Sequence, residues 1–258
     1  MLHKTYACLG DSITSDQVTG IGTRVAELLG VRMIGNFACG YATCSDWHDG
    51  PQNTTTVTLA VPPNTNTDDN VLSNQVRRLL AATTPKGQTI QWRHPVDGGF
   101  ALPETVGLGL GEQPAPDIIY IAISTNDGNH PQNALVDDVE DVLLKPYRAL
   151  TRCGIASALR WAIETLQCAY PQAAIFVATP LQAYSDQPWM SYDSTRRKRD
   201  VIAAVCRACG VKIIDSFYES GFSTLIAREH GEVHPDAMWK ENIAGFVAAQ
   251  IRAGCWVE

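Results

Sequence analysis

Four positions in this chain carry the residue types needed for chemistry at an acyl carbon. Ser12 follows a short apolar run, Thr5–Leu9, and Gly40 and Asn126 follow two later apolar runs. His234 precedes a proline near the end of the chain. A serine hydroxyl becomes a strong nucleophile when an imidazole takes its proton, and glycine amides and asparagine side chains supply N–H donors to an oxyanion. The set therefore predicts acyl transfer through a serine nucleophile.

Each of these residues also has a structural explanation. Ser12 lies in a Gly-Asp-Ser turn, which is followed by residues 16–20 and then by a helical pattern that ends at Gly30. A serine before a helix is a common cap, and the N–H groups of a helix N-terminus can face an anion. Gly40 suits a loop, Asn126 suits a turn, and His234 suits a helix start. Their order and their positions after apolar runs favour a shared site over four unrelated roles.

The elements that must position these residues are strands and helices in alternation. Continuously apolar runs are typical of parallel strands covered on both faces, and the segments between them have helical periodicity. Parallel strands joined by helices form a doubly wound sheet, whose strand carboxyl ends collect ligand-binding groups. The five predicted strands are Thr5–Leu9, Arg32–Phe37, Asp117–Ile123, Ala174–Ala178 and Val211–Asp215.

Residues 50–116 interrupt this alternation with a stretch rich in Thr, Asn, Pro and Gly. Thr54–Val61 and Thr89–His94 resemble short strands, the second as one arm of a hairpin, and Val71–Leu80 resembles an amphipathic helix. We expect one domain over residues 1–258, with this loop and β-hairpin insertion at about 50–116 walling a substrate cleft.

Charge and hydropathy exclude several classes of protein. The formal net charge of −7 and the lack of a basic stripe argue against a nucleic-acid partner. The one dense cationic run, Arg196–Arg199, is interpreted as the solvated start of a helix, with contact to an anionic substrate as the alternative. We expect no membrane span and no signal peptide, so the compartment stays open between the cytoplasm and export from a longer precursor. The oligomeric state is not predicted.

The eight cysteines are not spaced as a disulfide scaffold. Cys206 and Cys209 have CxxC spacing, but they lie in a helical pattern and no second pair completes a zinc site. We therefore expect no metal and no cofactor, while a Cys39–Cys44 bridge stays an open alternative. Four others are interpreted as small core residues, namely Cys8, Cys153, Cys168 and Cys255.

The order of motifs resembles the SGNH hydrolase superfamily, the GDSL-type esterases and lipases. The matching blocks are Gly10-Asp11-Ser12, the loop glycine Gly40, Asn126-Asp127 and His234-Pro235, and they span nearly the whole chain apart from the insertion. The resemblance implies a flavodoxin-like three-layer α/β/α sandwich with a five-stranded, mainly parallel sheet. This agrees with the alternation of strands and helices.

Residue by residue, the resemblance implies Ser12 as the nucleophile and His234 as the general base. It implies an oxyanion hole made of the Ser12 amide, the Gly40 amide and the Asn126 side chain. No cofactor is implied. The substrate class implied is an ester of a small molecule or a carbohydrate.

Two positions depart from the family pattern. Ser124 stands where the third block has a glycine, and Gly231 stands where the fourth block has the aspartate that orients the histidine. Glu232 is the nearest acid and is the tentative replacement. The alternatives are orientation by a backbone carbonyl in a Ser–His dyad, or impaired catalysis. Two other acids are expected to fix loops through hydrogen bonds, Asp127 and Asp215.

Several aromatic side chains near the predicted cleft suit stacking on sugar rings, although such residues also serve as loop core. We therefore expect small acyl groups, acetyl above all, on a carbohydrate or a similar polar carrier. A lipase or thioesterase of the same superfamily and a non-catalytic carbohydrate-binding or structural module are the alternatives. The aromatic residues are Trp47, His48, Trp92, His94 and Phe100.

Overall fold

The computed structural model of the protein describes residues 3–46, 70–89, 109–128 and 137–255. Within them, five strands form one sheet in the order β2-β1-β3-β4-β5, and every neighbouring pair is parallel. Each strand lies inside its predicted run or extends one residue beyond it. The strands are β1 (Thr5–Gly10), β2 (Arg32–Asn36), β3 (Ile118–Ala122), β4 (Ala174–Ala178) and β5 (Lys212–Ile214).

Helices connect the strands and cover the sheet. Gly30 and Gly210 end two of them in left-handed conformations, with φ of 66° and 68°, as expected for glycines at helix C-termini. The helices of the described residues are α1 (Ile21–Leu29), α2 (Leu72–Thr83), α3 (Val139–Leu144), α4 (Ile155–Ala169), α5 (Tyr192–Cys209), α6 (Ser216–Glu219), α7 (Thr224–Glu229) and α8 (Ala237–Cys255).

The two faces of the sheet carry separate apolar cores because successive side chains of a strand point to opposite faces. On β1, Ala7 and Leu9 pack in the core formed with α2, α4 and α5. Tyr6 and Cys8 of the same strand pack in the core formed with α1 and α8. The architecture is therefore a three-layer α/β/α sandwich, as predicted, and all five strands are parallel.

The region of the predicted insertion is described only in part. The predicted helix at Val71–Leu80 is present as α2. It has no solvent-exposed polar face, because Arg77 and Arg78 are buried along with its apolar residues. Residues 54–61 and 90–94 of the predicted strands lie outside the described residues, as do the five aromatic residues predicted near the cleft. The single domain with an insertion stays a prediction.

All eight cysteines carry free thiols, so the alternative of a Cys39–Cys44 bridge is not realised. Within the described ranges, no cluster of His, Cys, Asp and Glu is arranged to hold a metal ion. A search of the same residues finds no helix with the length and apolar character needed to cross a membrane.

Candidate active site

The end of β1 is held tightly against its neighbours. A Cβ at Gly10 would lie 2.3 Å from the carbonyl oxygen of Ala122 in β3, so only glycine allows the close approach. The buried side chain of Gln75 on α2 accepts a hydrogen bond from the Gly10 N–H at 2.7 Å and donates one to the Gly10 carbonyl at 2.8 Å. The backbone that leads into Ser12 is thereby fixed on two sides.

Asp11 shapes the turn that presents Ser12. Its carboxylate accepts hydrogen bonds from the Ile13 N–H at 3.2 Å and from the Thr125 N–H at 3.1 Å. Burial raises the pKa of Asp11 to about 6, while these hydrogen bonds favour the charged form. The side chain therefore ties the turn after β1 to the loop after β3.

The helix predicted between Gly20 and Gly30 is present as α1, and it is separated from Ser12 by several residues. The chain passes through successive turns, and α1 begins only at Ile21 with Gly20 as its N-terminal cap. Ser12 is therefore not a helix cap, and α1 does not present its N-terminal amides there. The Asp11 carboxylate accepts a hydrogen bond from the Ile13 N–H and stabilises a turn directly after β1.

His234 reaches Ser12 from the far end of the chain. Its Nε2 lies 2.8 Å from the Ser12 Oγ, although the two residues are 222 positions apart. Pro235 and the start of α8 follow at once, where the Asp236 carboxylate accepts a hydrogen bond from the Trp239 N–H at 3.0 Å. Part of the imidazole ring is exposed, but the loss of solvent around the rest lowers its pKa. This favours the neutral ring, which can accept a proton.

The loop before His234 is built around a glycine. Gly231 has a φ of +113°, and its carbonyl accepts a hydrogen bond from the His234 N–H at 2.9 Å. A Cβ at this position would lie 2.0 Å from the carbonyl oxygen of His234. The aspartate of the family pattern therefore cannot occupy position 231 in this backbone.

No carboxylate in the described part of the chain accepts a hydrogen bond from the His234 ring. Glu232 has a φ of +58° and an exposed side chain, and its backbone N–H donates to the Ala227 carbonyl at 2.6 Å. The nearby Asp236 is instead paired with His230, whose Nδ1 lies 2.9 Å from its Oδ2. The structure thus brings Ser12 and His234 together as a pair, and a role for Glu232 stays a prediction.

The loops after β2 and β3 place Gly40 and Asn126 beside this pair. The Cys39 N–H, one residue before Gly40, donates to the Gly10 carbonyl at 3.1 Å. The Asn126 Nδ2 donates one hydrogen bond to the Ala42 carbonyl at 3.1 Å, which leaves its second N–H for another acceptor. These bonds hold the two loops against the end of β1.

The N–H groups expected to form an oxyanion hole make few hydrogen bonds to other described residues. The Gly40 N–H makes a long hydrogen bond of 3.4 Å to the Gln17 side chain. The Ser12 N–H donates to no acceptor among the described residues. The structure therefore places all three predicted donors in one loop cluster, and their joint action on an oxyanion stays a prediction.

Asp127 and Asp215 fix loops, as predicted. The buried Asp127 carboxylate accepts hydrogen bonds from the backbone N–H groups of Cys44 and Ser45 at 2.8 Å and 2.9 Å. Asp215 pairs with Arg199 through both carboxylate oxygens. Neither acid contacts His234.

Lys198 supports the loop that carries Asn126, which the sequence did not predict. The run Arg196–Arg199 is interpreted above as the solvated start of a helix, but Lys198 is only 1% exposed. Its ammonium group donates to the carbonyls of Thr125 at 3.0 Å and of Trp189 at 2.8 Å, and burial lowers its pKa to about 8. The signal was its helical spacing: Lys198 lies three and seven positions before Val201 and Val205, on the buried face of α5.

Ser124 has a backbone conformation that favours glycine, the residue that the family pattern has at this position. Its φ is +103°, a conformation that L-residues with a Cβ rarely adopt. The side chain is fully buried, and its hydroxyl has no hydrogen-bond partner. The loop that carries Asn126 is therefore held in a strained conformation.

No protein-family model matches this chain, and no curated protein sequence matches it. Solved structures do resemble it in fold at low sequence identity. A lipase/acylhydrolase from Enterococcus faecalis is 13% identical with a TM-score of 0.55, covering 97% of this chain and 96% of its own. Est24, a carbohydrate acetylesterase from Sinorhizobium meliloti, is 15% identical with a TM-score of 0.50, covering 97% and 99%.

A third structure is a protein from Bacteroides uniformis described as a GDSL-like lipase. It is 15% identical with a TM-score of 0.52, and the match covers 97% of this chain and 96% of that protein. These neighbours have the α/β fold that the resemblance implied. The chain therefore has the α/β fold of the GDSL-like lipases and acylhydrolases.

Proposed function

We propose that this chain is a serine esterase that hydrolyses small acyl esters through an acyl-enzyme on Ser12. The observation that carries the proposal is the 2.8 Å distance between the Ser12 Oγ and the His234 Nε2. A hydroxyl and a neutral imidazole at this distance are placed for proton transfer. The fold shared with lipases and acylhydrolases supports the same reaction class.

In the proposed reaction, the His234 Nε2 takes the proton of Ser12 while the Ser12 Oγ attacks the ester carbonyl carbon. The tetrahedral oxyanion accepts hydrogen bonds from the N–H groups of Ser12 and Gly40 and from the Asn126 side chain. Collapse of the intermediate breaks the bond to the alcohol, which leaves with the proton from His234. A water molecule then repeats the sequence, releasing the acid and restoring the Ser12 hydroxyl.

Among the described residues, no acid is paired with the His234 ring, and this determines how the site would work. In a complete triad the acid fixes the imidazole tautomer and stabilises the imidazolium, and its loss lowers kcat by about 10⁴. Here burial lowers the pKa of His234, and no described carboxylate opposes this shift. We therefore propose a Ser–His dyad whose base stays neutral at a lower pH than an ordinary histidine but gains little stabilisation once protonated.

The substrate we propose is an acetyl ester on a carbohydrate or a similar polar carrier. Structures of a carbohydrate acetylesterase and of a carbohydrate esterase family 2 enzyme from Corynascus thermopiles, the latter 15% identical with a TM-score of 0.55, support this choice. A second candidate, a non-catalytic carbohydrate-binding module, is favoured by one observation, the glycine at position 231.

The test is a panel of acyl esters, from p-nitrophenyl acetate to long-chain esters and acetylated sugars. We expect turnover of the short esters, its loss in Ser12→Ala and His234→Ala, and labelling of wild type but not Ser12→Ala by a fluorophosphonate. Ser185→Ala, in a surface turn, is the matched control and should behave as wild type. Equal turnover by wild type and Ser12→Ala would refute the esterase, and binding of sugars without turnover or labelling would favour the module.

A further inference from the structure

A cavity of about 300 Å³ adjoins the loop that carries Asn126. Its walls are the 3-10 turn at Pro188–Met190, the first turns of α5 and the end of the loop after β3. This volume is at the lower end of the roughly 300–1,000 Å³ of small-molecule sites. The lining includes Gly128, Trp189, Ser191, Asp193, Ser194 and Arg197.

The cavity is tied to the Ser12 site by chain geometry and by a buried cation. Gly128 lies two residues after Asn126, so their Cα atoms are at most about 7 Å apart. The Lys198 ammonium group holds the Thr125 carbonyl on one side and the Trp189 carbonyl on the other. The wall that contains Trp189 is thereby set at a fixed place relative to the Asn126 loop.

The walls combine an aromatic surface with polar groups of both kinds. Asp193 offers carboxylate acceptors, with its side chain 75% exposed and a long contact of 3.6 Å to Arg196. Arg197 is exposed and makes no ion pair with any described residue, so its five N–H donors are free for a ligand. The indole N–H of Trp189 and the hydroxyl of Ser194 have no hydrogen-bond partner among the described residues.

This composition matches the chemistry of a sugar. Hydroxyl groups both donate and accept, so adjacent hydroxyls can satisfy Asp193 and Arg197 together, whereas an anion would be repelled by Asp193. The apolar face of a pyranose ring suits stacking on the indole of Trp189. A long acyl chain would leave these polar groups unpaired.

We propose that the cavity lined by Trp189, Asp193 and Arg197 binds the sugar ring of an acylated carbohydrate whose acyl group lies at Ser12. This subsite rests on the proposed esterase function. The sugar ring is the part of the substrate that would give the esterase its specificity. Lys198 is a positioning residue in this arrangement, because it links the sugar subsite to the Asn126 loop without contacting the substrate.

The kinetic test compares an acetylated methyl glucoside with p-nitrophenyl acetate as substrates of Trp189→Ala and Arg197→Ala. We expect the ratio of their kcat/KM values to fall about ten-fold in each variant, since each loses one aromatic face or one charged donor. Leu144→Ala, which removes an 87% exposed side chain outside the cavity, is the control and should keep the wild-type ratio. Because Arg197 is exposed, its variant also tests the proposal if Trp189→Ala fails to fold.

A binding measurement separates this proposal from the proposed function. The Ser12→Ala variant is titrated calorimetrically with the same acetylated glucoside, with and without Arg197→Ala. About ten-fold weaker binding in the double variant supports the subsite even if the wild type proves inactive. An unchanged kcat/KM ratio together with unchanged binding overturns the subsite and leaves the esterase proposal standing.

Discussion

Restoring the aspartate of the family pattern should damage this site instead of improving it. Gly231→Asp supplies an acid three residues before His234, where the pattern of the SGNH hydrolases has the aspartate of its triad. In this chain the new Cβ would lie 2.0 Å from the carbonyl oxygen of His234 and 3.1 Å from the N–H nitrogen of Asp236. The substitution therefore forces the backbone of the catalytic loop to move.

The expected loss of stability in Gly231→Asp has two contributions. A non-glycine residue at a φ of +113° is strained by about 1–3 kcal/mol, and an overpacked position of this kind costs a further 1–3 kcal/mol or so. A loss of about 3 kcal/mol lowers Tm by roughly 6–12 °C in a protein of this size. Because the displaced group is the main chain of His234, a shift of about 1 Å should reduce kcat/KM by about 10².

The assay is p-nitrophenyl acetate hydrolysis beside thermal unfolding, with Gly231→Ala as the matched control. Alanine adds the same Cβ without a carboxylate, so both variants should lose activity and stability to a similar extent. A Gly231→Asp protein with wild-type Tm and raised kcat/KM would refute the reasoning. It would mean that the loop relaxes easily and that the missing acid alone limits the rate.

Three further outcomes are expected. Ser124→Gly should raise stability by about 1 kcal/mol in thermal unfolding because it relieves a φ of +103°, and Ser124→Ala, which keeps the Cβ, should gain less. The acid limb of the kcat/KM pH profile should have its midpoint below the ordinary histidine pKa of about 6.5. Desolvation lowers the pKa of His234, and activity is lost only when the ring is protonated. A midpoint above that value would indicate a partner acid. Glu232→Gln should lower kcat less than about three-fold, because an exposed carboxylate with no hydrogen bond to the ring contributes little, and a loss of 10³ would identify it as the orienting acid.

Much of the fold could be predicted from the sequence because local sequence patterns and tertiary packing favour the same strands and helices. The run at Ile118–Ala122 is apolar throughout, as a strand buried on both faces must be. Gly30 and Gly210 mark helix ends because they adopt left-handed conformations there. The pairing of Ser12 with His234 was predictable from the order of the motifs, which resembles that of the GDSL-type esterases.

The residues that support the site were harder to predict because their roles depend on distant backbone groups. Gln75 looks like an ordinary polar residue of α2, and only the folded chain brings its amide to the Gly10 backbone. Lys198 is flanked by arginines that do reach the surface, so composition alone indicates a solvated segment. In both cases, a polar side chain is buried because a strand end or loop offers it unpaired backbone groups.

The geometry around His234 also explains how the proposed base could work without an acid partner from the described residues. Its main chain is fixed by the hydrogen bond to the Gly231 carbonyl at 2.9 Å and by Pro235 at the entrance to α8. For Nε2 to accept the Ser12 proton, the neutral ring must carry its hydrogen on Nδ1. Since part of the ring is exposed, water can accept that hydrogen bond in place of a carboxylate. Backbone geometry thus places the imidazole, and in the proposed dyad solvent would maintain its tautomer. The glycine at 231 is a requirement of this loop and not merely the loss of an acid.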